Sequence, residues 1–384
     1  MALNSKYSSK ETIKGEFLVP DYYKDFTCKG GSCRDSCCQE WKVTIPMDQY
    51  FLLNGLNCKK TIKQKIDRTF RPFINPTPER YAEIVHTQDG NCPLHKEDGY
   101  CLLHETCGEN VLPLVCRYYP RGPKINYINE VSCANSCEKT LELLFSTNEI
   151  IKFEKLNLKF HMNKYESQIS DEKKRLYQEV RFDIFGLLSN RDIPLSKRIL
   201  DLGVYLDTLD KHSNINILNT NDKHDIIKIE TVNDYYQIIW KLFDRFNGKY
   251  PRLEAQLEEA KSLYINKDVN EIYFLAKKNF ESLFSNHEIM FEKVIINDLF
   301  FKQFPFQTNF NVKDQYIALC GTYILLRYLS ISLMYTKTTI EDFIDLISKT
   351  YTVISHSSFD AVISTFIRQL NLENHYTLAK IMQM

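Results

Sequence analysis

The chain has 384 residues, 43% of them hydrophobic and 26% charged, a globular balance with length for roughly two domains and a substantial core. Lysine plus arginine equals aspartate plus glutamate at 49 each, so there is no net charge to hold a nucleic acid backbone or an anionic membrane. Lys6, Lys10, Glu11, Lys14 and Glu16 break up residues 1–17, which carry no apolar run of the secretory type, and a cytoplasmic location is the expectation.

Eleven of the twelve cysteines, at 28, 33, 37, 38, 58, 92, 101, 107, 116, 133 and 137, precede residue 138. Eight of twelve glycines and nine of twelve prolines lie at or before residue 123, so a loop-rich front segment is expected. In it, Cys28-Lys-Gly-Gly-Ser-Cys33-Arg-Asp-Ser-Cys37-Cys38 sets four thiols within eleven residues, and Gly30 and Gly31 let the backbone wrap closely. Trp41, Val43 and Ile45 then alternate with Lys42 and Thr44, which predicts a short strand. A second constellation follows at Cys92, Cys101, Cys116 and Cys133, with turns at Asp89-Gly90, Asp98-Gly99 and Pro123 and a second strand expected over 124–131.

Three chemistries compete for these thiols. A disulfide framework belongs to small secreted domains, and neither condition holds for this chain. Packing as small hydrophobes suits Cys320 and Cys58 but leaves the other spacings unexplained. Metal ligation explains them, and soft thiolates select zinc or iron–sulfur clusters. No paired C-x-x-C knuckle is present, and the intervals of four, three, zero, eight and fourteen residues favour a cluster, with zinc as the alternative.

Beyond Cys137 the apolar period changes to that of helices. Stripes are expected over Asp171–Leu188 and Leu195–Leu209, with Pro194 at a helix start, then at 233–246, 251–264, 268–284 and 288–304. The Asn-rich residues 213–225 read as a loop. Residues 316–335 are apolar enough to span a bilayer but contain Arg327, which makes a buried core helix the expectation. The fold class that results is mainly α, with a small irregular cysteine-rich α+β metal-binding module over 1–138 and a helical region over 139–384. Phosphate-loop, dinucleotide-turn and H-E-x-x-H motifs are absent.

The motifs, taken in order, resemble the flagellin lysine N-methylases. The resemblance is carried by Pro20-Asp-Tyr-Tyr, Phe26-Thr-Cys28, the Cys33/Cys37/Cys38 group, Trp41-Lys-Val-Thr-Ile45, Cys92-Pro-Leu, Gly99-Tyr-Cys101, Leu112-Pro113, Cys116-Arg-Tyr-Tyr-Pro-Arg121 and Ser132-Cys133. It continues at Arg191-Asp-Ile-Pro-Leu195, at Phe304-Pro-Phe306 and near His356, while Cys58, Cys107 and Cys137 lie outside the family pattern.

That resemblance implies methyl transfer from S-adenosylmethionine to lysine side chains of flagellin, with a four-iron four-sulfur cluster as further cofactor. The implied metal ligands are Cys28, Cys33, Cys37, Cys38, Cys92, Cys101, Cys116 and Cys133, and Arg117 and Arg121 are candidates for the cluster sulfurs or the cofactor carboxylate. No catalytic base is singled out by spacing. The competing functions are a metal-stabilised partner-binding protein and an iron–sulfur electron carrier.

Overall fold

The computed structural model describes residues 10–39, 43–163, 169–209, 229–307 and 310–384. The expected loop at 213–225, and Trp41 and Lys42 of the expected strand, lie outside the described residues.

The molecule is mainly helical. The sequence stripes at Asp171–Leu188 and Leu195–Leu209 form helices with those bounds, followed by Val232–Phe243, Pro251–Ser262, Val269–Leu283 and His287–Lys302. Four more complete the chain: Val312–Leu333, Ile340–His356, Phe359–Gln369 and His375–Gln383. Local chemistry sets several starts. The side chains of Ser170, Asp268, Asn311 and Asn374 accept first-turn amide protons, and Thr231 and Thr339 form reciprocal capping boxes with Asp234 and Asp342.

Val312–Leu333 is the central helix. It is the one described helix long and apolar enough to cross a membrane, and its apolar window is wholly buried inside the protein, as expected for a core helix. Gly321 lets Phe359–Gln369 cross closely, because a Cβ there would stand 2.5 Å from Ile363.

Two strands that the cysteine pattern had overshadowed join the front of the chain to this bundle. Lys10–Pro20 runs antiparallel to Phe153–Asn163, with Gly15 opposite Leu158 and Phe17 opposite Leu156. Phe17 and Phe160 are buried and meet edge to face at 5.1 Å. Phe17, Val19, Tyr22, Tyr23, Phe26, Val131 and Cys133 thus belong to the same hydrophobic core as the helices.

A smaller core lies between them in sequence. It is built from Val43, Ile45, Leu53, Ile66, Phe70, Ala82, Leu94 and Leu103 on a three-stranded sheet, Thr44–Ile45 and Phe70–Pro72 flanking Ala82–Ile84. The short helices Met47–Asn54, Lys60–Thr69, Leu102–Cys107 and Leu114–Tyr118 complete this region. Residues 124–131 do not form the expected strand: Lys124 and Glu130 bridge each other across a tight loop, and Glu130 also bridges Leu18.

Candidate functional site

Glycine contacts bring the thiol-bearing loops together. A Cβ on Gly31 would stand 2.0 Å from the Asp98 carbonyl oxygen, and one on Gly99, whose φ is +81°, would stand 2.5 Å from the Gly31 Cα. The Cys92 amide donates to the Cys38 carbonyl at 2.8 Å, and Leu102 to Leu94 at 2.8 Å, which folds 92–102 back on itself. Cys28, Cys33, Cys37, Cys38, Cys92, Cys101 and Cys116 consequently line one hollow of about 190 Å³. None of the twelve cysteines forms a disulfide. Among the described residues no three Cys, His, Asp or Glu side chains are grouped as ligands of a single metal ion.

The thiols share a crowded electrostatic environment. Cys28, Cys37 and Cys116 are exposed at the surface, and the hydrogen bond the Cys37 thiol gives Cys38, then burial, pushes Cys37 up. Burial, then neighbouring Cys38, Cys92 and Cys101, pushes the Cys116 thiol up. Burial pushes Cys92 up to about 12; burial, then Glu138, Cys137 and Cys28, does the same to Cys33. The Cys37 thiol donates to Cys38, which brings Cys38 down to about 7 and makes it the readiest thiolate of the group.

Glu138 pins the first loop. Its carboxylate, nearly fully buried, accepts the Arg34 amide at 2.9 Å and the Lys29 ammonium at 2.5 Å. Arg34 reaches on to Asp345 at 2.8 Å, and Asp35 accepts from Arg252 at 3.2 Å, so helices 251–262 and 340–356 hold the loop from the far side.

Cys133, the eighth cysteine of the family pattern, lies elsewhere. It is wholly buried in the helical core, its amide donating to the Tyr22 hydroxyl at 3.1 Å and its carbonyl accepting from Asn297 at 2.8 Å. Neither arginine candidate lines the hollow. Arg117 pairs with Glu109 at 3.3 Å, and Arg121 covers the Phe26 ring at 4.9 Å. Cys58 and Cys107 pack against the smaller core, and Cys320 is buried in the central helix.

Two further arrangements join residues far apart in the sequence. Tyr119, on the wall of the hollow, donates to Ser136 Oγ at 3.1 Å, and that oxygen lies 3.0 Å from His356 Nε2. The second is a groove of about 510 Å³ beside helix 171–188, floored by Phe153 stacked on Phe185 at 5.1 Å and on Phe300 at 4.8 Å. At its inner end Tyr177 and, at 3.1 Å, Gln303 donate to Glu130 Oε2. The Arg181 guanidinium sits 4.8 to 5.2 Å from the Tyr177, Phe300 and Phe185 rings. Its Nη2 lies 3.3 Å from Glu130 Oε1, an ion pair out of line for a hydrogen bond, and both atoms lack a hydrogen-bond partner. Phe182 stands 79% exposed at the rim.

Residues 181–383, just over half of the chain, match the FliB lysine N-methylase C-terminal domain. Over 113 residues the chain is 32% identical to the lysine-N-methylases of Salmonella choleraesuis and Salmonella typhimurium. That match takes in 29% of this chain and 27% of each relative's length. It is 29% identical to the flagellar biosynthetic protein FliU of Salmonella muenchen, over 29% of this chain and 65% of that protein. No solved structure matches the chain. The extent of the domain match establishes that the chain belongs to the FliB lysine N-methylase family.

Proposed function

We propose that this protein transfers the methyl group of S-adenosylmethionine to lysine side chains of flagellin, in the cytoplasm before the subunit is exported. The observation that carries this reading is the domain match over 181–383, supported by relatives named for lysine N-methylation and for the flagellum.

In this reaction a neutral lysine amine attacks the sulfonium methyl carbon. The nitrogen–carbon bond forms as the carbon–sulfur bond breaks, sulfur keeps the bonding pair and leaves as a thioether, and the nitrogen gives up a proton. An unperturbed lysine, with a pKa of ~10.4, is protonated at neutral pH, so the site must favour the free amine. The groove beside Arg181 has the required character. In this reading its aromatic floor lowers the local polarity, the Arg181 charge disfavours a second cation, and Glu130, whose Oε1 is ion-paired to Arg181 and makes no hydrogen bond, is the base that takes the proton. Arg117 and Arg121, both half-buried, are the candidates to hold the donor carboxylate.

The further cofactor in this proposal is a four-iron four-sulfur cluster, and the hollow fits it by its donor set. Seven thiols line one space, and burial hinders the ionisation of Cys33, Cys92, Cys101 and Cys116 in it, a penalty that bonding to iron offsets. Once bound, a cluster ties the loop 28–38 to the segment 92–116 and adds its binding free energy to folding.

Transfer of an isotope-labelled methyl group from the donor to flagellin, catalysed by cluster-replete protein, tests the reading. Absence of transfer, together with no donor binding by calorimetry, would leave a metal-stabilised partner-binding protein as the better account.

A further inference from the structure

We propose that the groove beside helix Asp171–Leu188 chooses its acceptor lysine by a large apolar side chain standing next to that lysine on the acceptor protein. Phe182 and Ile150 take up the apolar neighbour, and Gly186 lets the acceptor backbone lie close against the helix. This inference rests on the reading above that the groove receives the lysine amine, and adds to it the kind of acceptor surface that fits.

The helix buries Tyr177, Val180, Ile184 and Leu188 in the protein, whereas Phe182 stands 79% exposed. Ile150, on the wall of the same groove, is 41% exposed. A single exposed apolar side chain is ordinary, but these two line one concave surface. Covering both with an apolar group of the acceptor removes their area from water, which is the favourable term in such a contact.

Gly186 lies one turn beyond Phe182 on the same helix face and also lines the groove. Glycine weakens a helix interior relative to alanine, yet no atom outside the local helix backbone lies within 4 Å of where a Cβ would stand. Packing inside the molecule therefore does not require this glycine, in contrast to Gly321, where a Cβ would meet Ile363. The bare backbone at Gly186 faces open space in the groove, and a chain crossing there can approach closely.

Polar atoms at the inner end point to a ligand independently of the rim. Glu130 and Arg181 are both buried, and Glu130 Oε1 and Arg181 Nη2 make no hydrogen bond. Arg181 and Phe182 are consecutive, so a lysine whose amine reaches Glu130 leaves its flanking residues at the Phe182 rim. The charged lining consists of Glu130 and Arg181, paired at 3.3 Å, and Lys152. One further charge makes no patch to read acidic or basic flanks, so recognition should depend little on salt.

The test is steady-state methyl transfer by anaerobically reconstituted full-length protein, at low and high salt. The acceptors are flagellin and two synthetic peptides that carry one lysine between leucines or between serines. Wild type should favour the leucine peptide by about 10-fold or more in kcat/KM at either salt concentration. Phe182→Ser, at an exposed position that leaves the fold intact, should remove that preference and raise KM for flagellin by about 10-fold while kcat is kept. Gly186→Ala should raise both the melting temperature and KM, a combination that a merely structural glycine would not give. Equal turnover of the two peptides by wild type, or an unmoved flagellin KM in Phe182→Ser, would overturn the proposal. So would a wild-type dimer that Phe182→Ser dissociates, since the face would then belong to a second copy of the chain. Where flagellin alone is methylated, its KM in Phe182→Ser decides. No transfer to any of the three acceptors would overturn the reading of the groove, and this inference with it.

Discussion

Ser136 Oγ lies 3.0 Å from His356 Nε2 across 220 residues of sequence, and the Tyr119 hydroxyl donates to the same oxygen. The contact ties the last residue of helix Ile340–His356 to the wall of the thiol hollow. Burial pushes the imidazole down to about 4, so the ring is neutral in the folded protein near neutral pH. The unfolded chain takes up a proton as pH falls through ~6.5, whereas the folded chain resists until about 4. Stability is therefore full above the unfolded value and is lost as pH falls between the two, by up to about 3 kcal/mol. Urea midpoints should fall more steeply with acid in wild type than in His356→Gln. Parallel pH dependence in the two proteins would contradict this.

The contact of Gly31 with Gly99 and the Asp98 carbonyl makes a sharper prediction about the hollow. Gly31→Ala forces apart the two loops that bring the first cysteines to Cys101, because its Cβ meets backbone rather than a flexible side chain. Iron content should drop by at least half, whereas Gly108→Ala, which has open space around it, should keep its metal and lose only backbone stability, φ being +83° there. Equal iron in wild type and Gly31→Ala would mean that the loops do not need to touch.

Cys116→Ala should lose metal and solubility together, because ligand binding contributes to folding in such sites. Cys320→Ala should keep its iron and lose about 1 kcal/mol, the effect of a small cavity beside Tyr316 in the central helix. Iron analysis and thermal melts on the pair separate the two roles.

Glu292, wholly buried, is clamped by the fork of Arg191, with Nη2 at 2.8 Å, and by Arg198 Nη1 at 2.6 Å. Glu292→Gln leaves the buried Arg198 without its counter-charge and should destabilise by about 3–5 kcal/mol. Arg191→Lys should cost less, since a single ammonium keeps the charge but not the fork. Thermal melts that rank the two variants in the opposite order would contradict this clamp.

Much of the helical architecture was legible because its signals are local. The stripe of 171–188 sits directly after a serine that caps it, and Pro194 precedes the start of 195–209. The strands 10–20 and 153–163 carried an alternating pattern at Phe17 and Val19 and at Leu156, Leu158 and Phe160, but interspersed Lys and Glu and distant pairing hid them. The cysteine groups drew attention to the hollow correctly, whereas the exclusion of Cys133 from its lining depends on where Tyr22 and Asn297 fall in space. Burial of Glu130 beside Arg181, and of Glu292 beside Arg198, pairs charges far apart in the chain and leaves no local trace. The Arg191 motif was visible only as a resemblance, and the structure gives it a physical partner in Glu292.

Methyl transfer to flagellin lysines is the activity proposed for this chain. Its most direct test is peptide mass spectrometry of flagellin from the same cell after incubation with anaerobically reconstituted protein and S-adenosylmethionine. Lysine-bearing peptides should gain mass in steps of one methyl group, and Glu130→Gln with its iron intact should slow that gain at least ~100-fold, the lower end of the usual range for loss of an acid–base group. Unchanged lysine peptides after incubation with cluster-replete wild type would contradict the claim.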